Sequence, residues 1–523
     1  MIGRLVRHET LSFVRTPMAA FFTVAMPLLM TVIIGAAVGN QVVQPGTDVR
    51  VMQFVVPVMA VFGVAQGCFG TLAIRLADLR DRGWLKRLHG TPVPASAVLA
   101  GLAGASLAVA ATTVAVLLTV GTVFYGTQLV WRTLPALLLT LLIGAACFTA
   151  LGFAVVALVR NAAAVQLLGT GLLLALAFIS DVILVGARLP AWLDAVGWAF
   201  PLRHFAHAVR DAMNPFLAGP GLYPDHLAVL VVWGIGGAAL ALWRFRWERP
   251  QARTQNLRKA REQRVMLGGR STPRRLVAGQ VGHALVRLRR DLSTAFFTVI
   301  LPLLLLALIS LIFAGSRVSG VPLPVFMLAA MITYTIGVAS YVNIPETIAG
   351  DRERGVLKRL AGTPLPRWAY HAGNLATALL VTAVTAVLLT LLAAFGYGVA
   401  IGPGAVAGML AAILLGTACF TALGALVVTL TGKQQTVNAV TLGTFLPLAF
   451  VSDVFVIGGE LPAVLTVVGD VFPLKHLSHT VLDTLAGRPW PWADLAVVTL
   501  WTLGATAALA LVCPSGLRRG RLS

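Results

Sequence analysis

Arg80-Asp81-Arg82-Gly83-Trp84-Leu85-Lys86-Arg87-Leu88-His89-Gly90-Thr91-Pro92-Val93-Pro94 returns 272 residues later as Arg352-Glu353-Arg354-Gly355-Val356-Leu357-Lys358-Arg359-Leu360-Ala361-Gly362-Thr363-Pro364-Leu365-Pro366, with eleven of fifteen positions identical. Each copy stands between long apolar runs in a chain that is otherwise poor in charge, so both copies need water and a partner in it. The spacing predicts a short helix in each. Leu85 and Leu88, and likewise Leu357 and Leu360, are three apart and share a face. Lys86-Arg87 and Lys358-Arg359 fall toward the helix end that favours cations. Gly90-Thr91-Pro92 and its repeat read as helix stops, with glycine taking the left-handed cap.

The surrounding composition decides the class. The chain has 523 residues, 58% hydrophobic and 11% charged, with a mean hydropathy of +0.87. That leaves too little polar surface for a soluble globule of this size, and an integral membrane protein follows. Cys68, Cys147, Cys419 and Cys513 form no C-x-x-C pair and lie in or beside apolar runs, which suits small core residues better than a disulfide or metal framework.

A formal charge of +21 raises the question of nucleic acid, and its distribution answers it. With the N-terminus inside and the apolar runs threaded in order, 32 of the 40 Lys and Arg fall on the cytoplasmic side, while the acids divide nine inside and ten outside. This is the positive-inside bias. The basic excess therefore reports orientation and anionic lipid, and no nucleic-acid partner is expected. Both termini are placed in the cytoplasm.

Met18 to Val38 is uncharged, longer than a signal-peptide core and long enough to span, so it reads as a first span rather than a cleaved leader. Residues 1–17 read as a basic surface helix before it. Further spans are predicted near 51–74, 95–124, 133–159, 162–186 and 226–243, with 187–224 as short, outward, partly re-entrant helices. Residues 244–291 carry fourteen Lys or Arg against three acids and read as a cytoplasmic linker ending in a surface helix.

The second half repeats the first. Ala20-Phe21-Phe22-Thr23-Val24 returns as Ala295-Phe296-Phe297-Thr298-Val299, Cys147-Phe148-Thr149-Ala150 as Cys419-Phe420-Thr421-Ala422, and Ser180-Asp181 as Ser452-Asp453. Spans near 294–315, 323–347, 368–397, 404–430, 434–457 and 493–513 bring the expected total to twelve. Six spans per half is an even number, so the halves 1–243 and 292–523 must be parallel repeats about an axis along the membrane normal.

These features resemble the ABC-2 type permeases of ATP-binding-cassette exporters, the type V exporter arrangement, here with two permease units in one chain. The family pattern between spans two and three is roughly R-E-x-G-T-L-x-x-L-x-x-T-P. Arg352-Glu353-Arg354-Gly355-Val356-Leu357 and Arg80-Asp81-Arg82-Gly83-Trp84-Leu85 follow it, with Trp84 and Val356 replacing its Thr and Asp81 replacing its Glu. The resemblance implies a coupling helix that docks an ABC ATPase. Arg82, Gly83, Leu85, Arg87 and Leu88 would form one contact; Arg354, Gly355, Leu357, Arg359 and Leu360 would form the other. The plain alternative is a solvated basic loop, and repetition of the motif argues against it. The double-length arrangement is similar to actinobacterial permeases of antibiotic and multidrug export, which implies hydrophobic, amphipathic or lipid-like cargo.

No G-x-x-x-x-G-K-[ST] occurs, so nucleotide phosphates cannot be cradled by that route. The chain is not expected to be an enzyme. ATP and Mg would belong to a partner with two nucleotide-binding domains. If the family arrangement holds, spans two and five of each half line the central interface. The path candidates are then Gln66 and Phe69; Gln166, Thr170 and Phe178; Tyr341 and Asn343; and Asn438, Thr441 and Phe445. Interhelical hydrogen bonding explains an isolated amide equally well.

His204-x-x-His207-x-x-x-Asp211 and His476-x-x-His479-x-x-x-Asp483 place three metal-capable groups on one helix face each, without a fourth ligand. They read as an outward gate with Asp181 and Asp453, and no metal is expected. Two other classes remain. An ion-coupled secondary transporter would place carboxylates or lysines inside its spans, and Trp368 to Gly432 contains none. A membrane metalloenzyme would need stoichiometric metal at the paired histidines.

Overall fold

The computed structural model describes residues 2–14, 16–84, 94–159, 162–186, 189–244, 279, 281–282, 286, 291–363, 366–452, 454–455 and 462–512. Among these, nine helices are long and apolar enough to cross a membrane. In the first half they are α3 (Met52–Asp81), α4 (Ser96–Tyr125), α5 (Trp131–Leu158) and α9 (Pro224–Arg244). In the second they are α10 (Leu292–Ile312), α11 (Leu323–Glu353), α13 (Trp368–Gly396), α14 (Pro403–Leu430) and α18 (Trp492–Val512). Shorter apolar helices are α2 (Phe21–Ala36) and α6 (Ala164–Ile179), together with α15 (Gln434–Val451). An amphipathic helix, α1 (Ile2–Val14), precedes α2 and packs along α4. The remaining helices are α7 (Ala191–Ala199) and α8 (Pro201–Ala212), α12 (Val356–Ala361), and α16 (Ala463–Val471) and α17 (Pro473–Leu485). One small hairpin, Arg317–Val318 paired with Val321–Pro322, joins α10 to α11.

Burial sorts the helices into centre and rim. The most apolar stretches of α3 and α11 are each 94% buried, against 17% for α9 and 11% for α18. A helix that is apolar on all sides and enclosed by protein forms the core of its half, while rim helices offer their outer faces to lipid. Two core clusters follow. One is built around Met52, Met59, Phe62 and Phe205, the other around Met327, Tyr334, Leu477 and Phe445.

The clusters exchange side chains. Phe178 of α6 packs in the second-half cluster, and Phe450 of α15 in the first-half cluster. These residues are 272 apart and hence equivalent in the repeat. At the same seam a Cβ on Gly171 would lie 2.8 Å from the Phe296 ring, and Phe21 approaches Gly443 in the reciprocal contact at 3.9 Å. The halves meet principally through α6 against α10 and through Pro17–Ala20 against α15. Spans two form the core of each half and keep one face toward this interface, as expected.

Other expectations are corrected by the backbone. Spans two are longer than the hydropathy suggests: α3 and α11 run on to Asp81 and Glu353, so the first residues of each repeated motif are the last turn of a span. Span five is shorter, since α6 ends at Ile179 and Asp181 is left-handed at φ 56°; α15 likewise ends at Val451. The left-handed glycine of the motif is not the helix stop. Gly355 has φ 67° and Gly83 has φ 69°, while Gly362 has φ −85°. The chain must turn sharply between span and short helix, where only glycine is unstrained. The stop at Gly362 is instead made by its own N–H on Arg359 and by the Thr363 hydroxyl, which donates to the Leu360 carbonyl at 2.7 Å.

Both central helices contain a π-helical turn at the equivalent place, Gln66–Thr71 and Val338–Asn343. Each turn ties span two to span one: the Thr71 and Thr23 hydroxyls are 3.0 Å apart, and Asn343 Nδ2 donates to Thr298 Oγ1 at 2.9 Å. Such bulges leave carbonyls free and are common at functional sites. Gln53, 2% exposed, donates to the Gln128 and Met213 carbonyls and accepts from the Gln128 N–H, closing the far end of the first half.

The crossing of α3 and α6 depends on absent side chains, since a Cβ on Gly70 would lie 2.7 Å from the Gly169 carbonyl oxygen. Gly70→Val should cost about 3 kcal/mol and lower the thermal midpoint of the detergent-solubilised chain. Gly236→Ala, with nothing within 4 Å of the added methyl, should leave that midpoint within experimental scatter.

Candidate transport cavity, docking face and outer cluster

A cavity of about 1500 Å³ runs between the halves. At one end it is lined by Glu9, Arg75, Arg82, Arg354 and Lys433, and at the other by Phe313, Arg317 and Phe455. On α11 the lining residues Tyr334, Val338, Val342 and Glu346 recur every four residues, one continuous face of a single helix. On α3 the corresponding face carries Phe62, Gln66, Thr71, Arg75 and Asp78.

Seven of the ten path candidates line this cavity: Gln66, Gln166, Thr170, Phe178, Asn343, Asn438 and Phe445. Three are not on its wall. Phe69 stands edge-on to Phe148 at 6.3 Å inside the first-half core. Tyr341 is turned toward α14 and α15, its ring edge-on to Phe420 and its hydroxyl 2.9 Å from Thr444 Oγ1. Thr441 bonds back to the Val437 carbonyl at 3.0 Å, the usual resting place of a helical threonine. Span number alone does not separate these from the rest, because neighbouring residues on a helix point 100° apart.

Glu346 and Arg75 are cavity residues not among the path candidates: Glu346 falls at the end of the expected span 323–347, and Arg75 one residue beyond the expected span 51–74. The continuous helix carries both into the wall. Arg75 is paired with Glu9 at 3.3 Å and donates to Ser12 Oγ at 3.1 Å. Glu346 accepts from Gln434 Nε2 at 3.3 Å.

At the motif end, each span two is anchored before its glycine. Arg80 donates to the Val156 and Val159 carbonyls at 2.6 and 2.8 Å, capping α5. Asp351, 1% exposed, accepts from Tyr370 at 2.9 Å and pairs with Arg354 at 3.1 Å. The Glu353 carboxylate accepts the Gln434 N–H at 2.8 Å, at the start of α15. Beyond Gly355, α12 holds Leu357 and Leu360 half-buried, with Lys358 and Arg359 exposed. Arg359 turns back on the Arg354 carbonyl at 3.1 Å. In the first copy Arg82 pairs with Asp78 at 2.8 Å, and Trp84 packs beside Leu72, Leu76 and Val98. Leu85, Arg87 and Leu88 lie outside the described residues.

At the opposite end, α8 is buried on nearly every side. His207 Nε2 donates to Asp181 at 2.9 Å and its Nδ1 accepts from Arg210 at 2.8 Å. His204 donates to the Trp198 carbonyl at 2.8 Å, and its Nδ1 lies 3.0 Å from His226 Nδ1. Asp211 goes to Arg210 at 3.2 Å instead of joining the histidines. Two cations not singled out by sequence hold this region. Arg203, 5% exposed, pairs with Asp194 at 2.5 Å and covers the Trp198 ring at 4.5 Å. Its repeat equivalent Lys475 pairs with Asp470 at 2.7 Å. That bond holds the Asp470 carboxyl below the usual carboxylate range. His476 donates to the Asp470 carbonyl at 2.8 Å and meets Asp494 at 2.6 Å. His479 is engaged by its own neighbours, and Asp453 lies outside the described residues. Among the described residues no group of three or more His, Cys, Asp or Glu is disposed to hold a metal. Cys68, Cys147 and Cys419 are buried free thiols, and Cys513 is outside the described residues.

Removing Arg203 would take the 2.5 Å counter-charge from Asp194, which is 40% exposed, while Asp181 keeps His207 and Arg210. Arg203→Ala should destabilise the first half by about 1–2 kcal/mol, through the lost ion pair and the uncovered Trp198 ring, measured as a fall in thermal midpoint. Lys475→Ala should cost clearly less, because Asp470 is open to water.

Comparison with curated proteins and with solved structures returned no match. The family model for ABC-2 type transporters matches residues 2–214 and again residues 281–485. The two matches fall on the two halves, so the chain belongs to the ABC-2 type transporter family, as two permease units fused in one multi-pass membrane protein.

Proposed function

We propose that the chain is the membrane subunit of an ABC exporter in a bacterial plasma membrane. It would move hydrophobic or amphipathic compounds outward on ATP hydrolysed by a separate ATPase with two nucleotide-binding domains. Residues 1–243 and 292–523 form the permease halves, six spans each and both starting and ending in the cytoplasm, and 244–291 links them. Arg82, Gly83, Leu85, Arg87 and Leu88 dock one ATPase domain; Arg354, Gly355, Leu357, Arg359 and Leu360 dock the other.

One observation supports this above the others. The helix that lines the cavity from Tyr334 to Glu346 runs unbroken to Glu353, one turn before α12. A force on α12 is therefore delivered to the cavity wall by a rigid rod, with Gly355 as the only loose joint. The Asp351, Tyr370 and Gln434 bonds then transmit it to α13 and α15. At the far end, the ion pairs made by the buried cations Arg203 and Lys475 keep the outward helices shut until the walls part.

Ion-coupled transport is the second reading, and Glu346 is the observation in its favour, since a carboxylate facing a cavity within a span is a possible ion site. A relay needs successive groups toward both faces, and the cavity wall between Glu346 and Arg317 is apolar and amide.

Leu85→Asp combined with Leu357→Asp should abolish co-purification of an ABC ATPase expressed from the same genome, while the chain still inserts. Undiminished recovery of the ATPase would refute docking by these helices. Cargo movement in proteoliposomes lacking any ATPase, abolished when the ion gradient is collapsed, would establish the second reading instead.

A further inference from the structure

The two walls of the cavity are chemically unlike. Under the sequence repeat, Glu346, Asn343, Gln434 and Asn438 correspond to Ile74, Thr71, Ala162 and Gln166. All eight line the cavity, so duplication has placed a carboxylate and three amides on one side, against one amide and three less polar residues on the other. Glu346 is the ionisable group at the centre of that polar patch. It accepts from Gln434 Nε2 at 3.3 Å, and Asn438 lines the same part of the wall. Among the described residues no Lys, Arg or His nitrogen lies within 4.0 Å of it. Arg354, the cation that acts on it from a distance, is paired to Asp351, and Arg75 across the cavity is paired to Glu9. Asp291, on the same wall, adds a second negative charge.

A carboxylate held by a neutral donor in a low-dielectric setting, with Arg354 and Arg75 already paired to other acids, retains an unmet electrostatic demand. A second orphan stands beside it. Asn438 Oδ1 is buried without a hydrogen-bond partner. An ionised carboxylate has no proton to give it, so beside ionised Glu346 that acceptor stays open. An ammonium bearing an N–H satisfies both groups at once. Above the patch the wall turns aromatic, with Tyr334, Phe297, Phe22 and Phe445, suited to an apolar body and to the face-on attraction of a delocalised cation.

We propose that Glu346, with Asn438 and Gln434, is the head-group site for an amphipathic organic ammonium, whose apolar body lies along the aromatic upper wall. This rests on the cavity being the cargo path and narrows the cargo to cations. Because the carboxylates on the opposite wall, Glu9 and Asp78, are already paired to Arg75 and Arg82, a single cargo molecule is held in one orientation, which two identical subunits could not impose.

The test uses the full chain in zwitterionic lipid nanodiscs without ATPase, with rhodamine 6G, a fluorescent amphipathic cation bearing N–H groups, followed by anisotropy against empty nanodiscs. Saturable binding is expected at one site per chain, not competed by the amphipathic anion 8-anilinonaphthalene-1-sulfonate. Glu346→Gln should weaken it at least about tenfold, and Glu346→Asp, which keeps the charge, by less than about threefold. Equal affinity in Glu346→Gln, no saturable binding to the chain, or equal competition by the anion would each overturn the proposal. None of these results touches ATPase docking, which stands or falls on the Leu85 and Leu357 variants; those variants should bind the dye as the parent does.

Discussion

Hydrocarbon tolerates neither an open backbone group nor an unpaired charge, and a transport protein must nevertheless keep a polar passage inside it. The chain meets this constraint by enclosing two spans, α3 and α11, inside shells of apolar helices. Each shell is one permease unit. What the shell leaves uncovered, one face of each central helix, becomes the wall of the cavity.

The same arrangement links the passage to its ends. Because α3 and α11 run past the hydrophobic stretch without a break in the helix, they carry the first residues of the repeated motif as extensions of the spans. Asp351 with Tyr370, Glu353 with the start of α15, and Arg80 with the end of α5 bind these extensions to neighbouring spans. Left-handed glycines follow at once. Stiffness up to the glycine and freedom at it is the geometry of a lever with one joint.

Fusion of the two units has allowed them to differ. The reciprocal seam survives, with Phe178 and Phe450 exchanged between cores and Phe296 and Phe21 approaching Gly171 and Gly443. The outer clusters have diverged in chemistry while keeping their plan: Arg203 and Trp198 on one side answer to Lys475 and Asp470 on the other, and His204 with His226 to His476 with Asp494. The cavity walls have diverged further, leaving Glu346 without a counterpart.

Much of this was written along the chain. Apolar run length, the excess of Lys and Arg on alternate loops, and the 272-residue repeat are one-dimensional properties, and membrane insertion, duplication and the motif follow from them because hydrocarbon acts on each segment by itself. The family relation follows from the same features. Which face of a span looks inward was not written there, since the central helices are apolar on every side and carry no periodic signal. Tertiary packing alone turned Tyr341 and Phe69 away from the cavity, brought Glu346 and Arg75 into the wall, and buried Arg203 and Lys475. Those outcomes depend on contacts between helices, where each charge must find a partner in three dimensions before it can leave water.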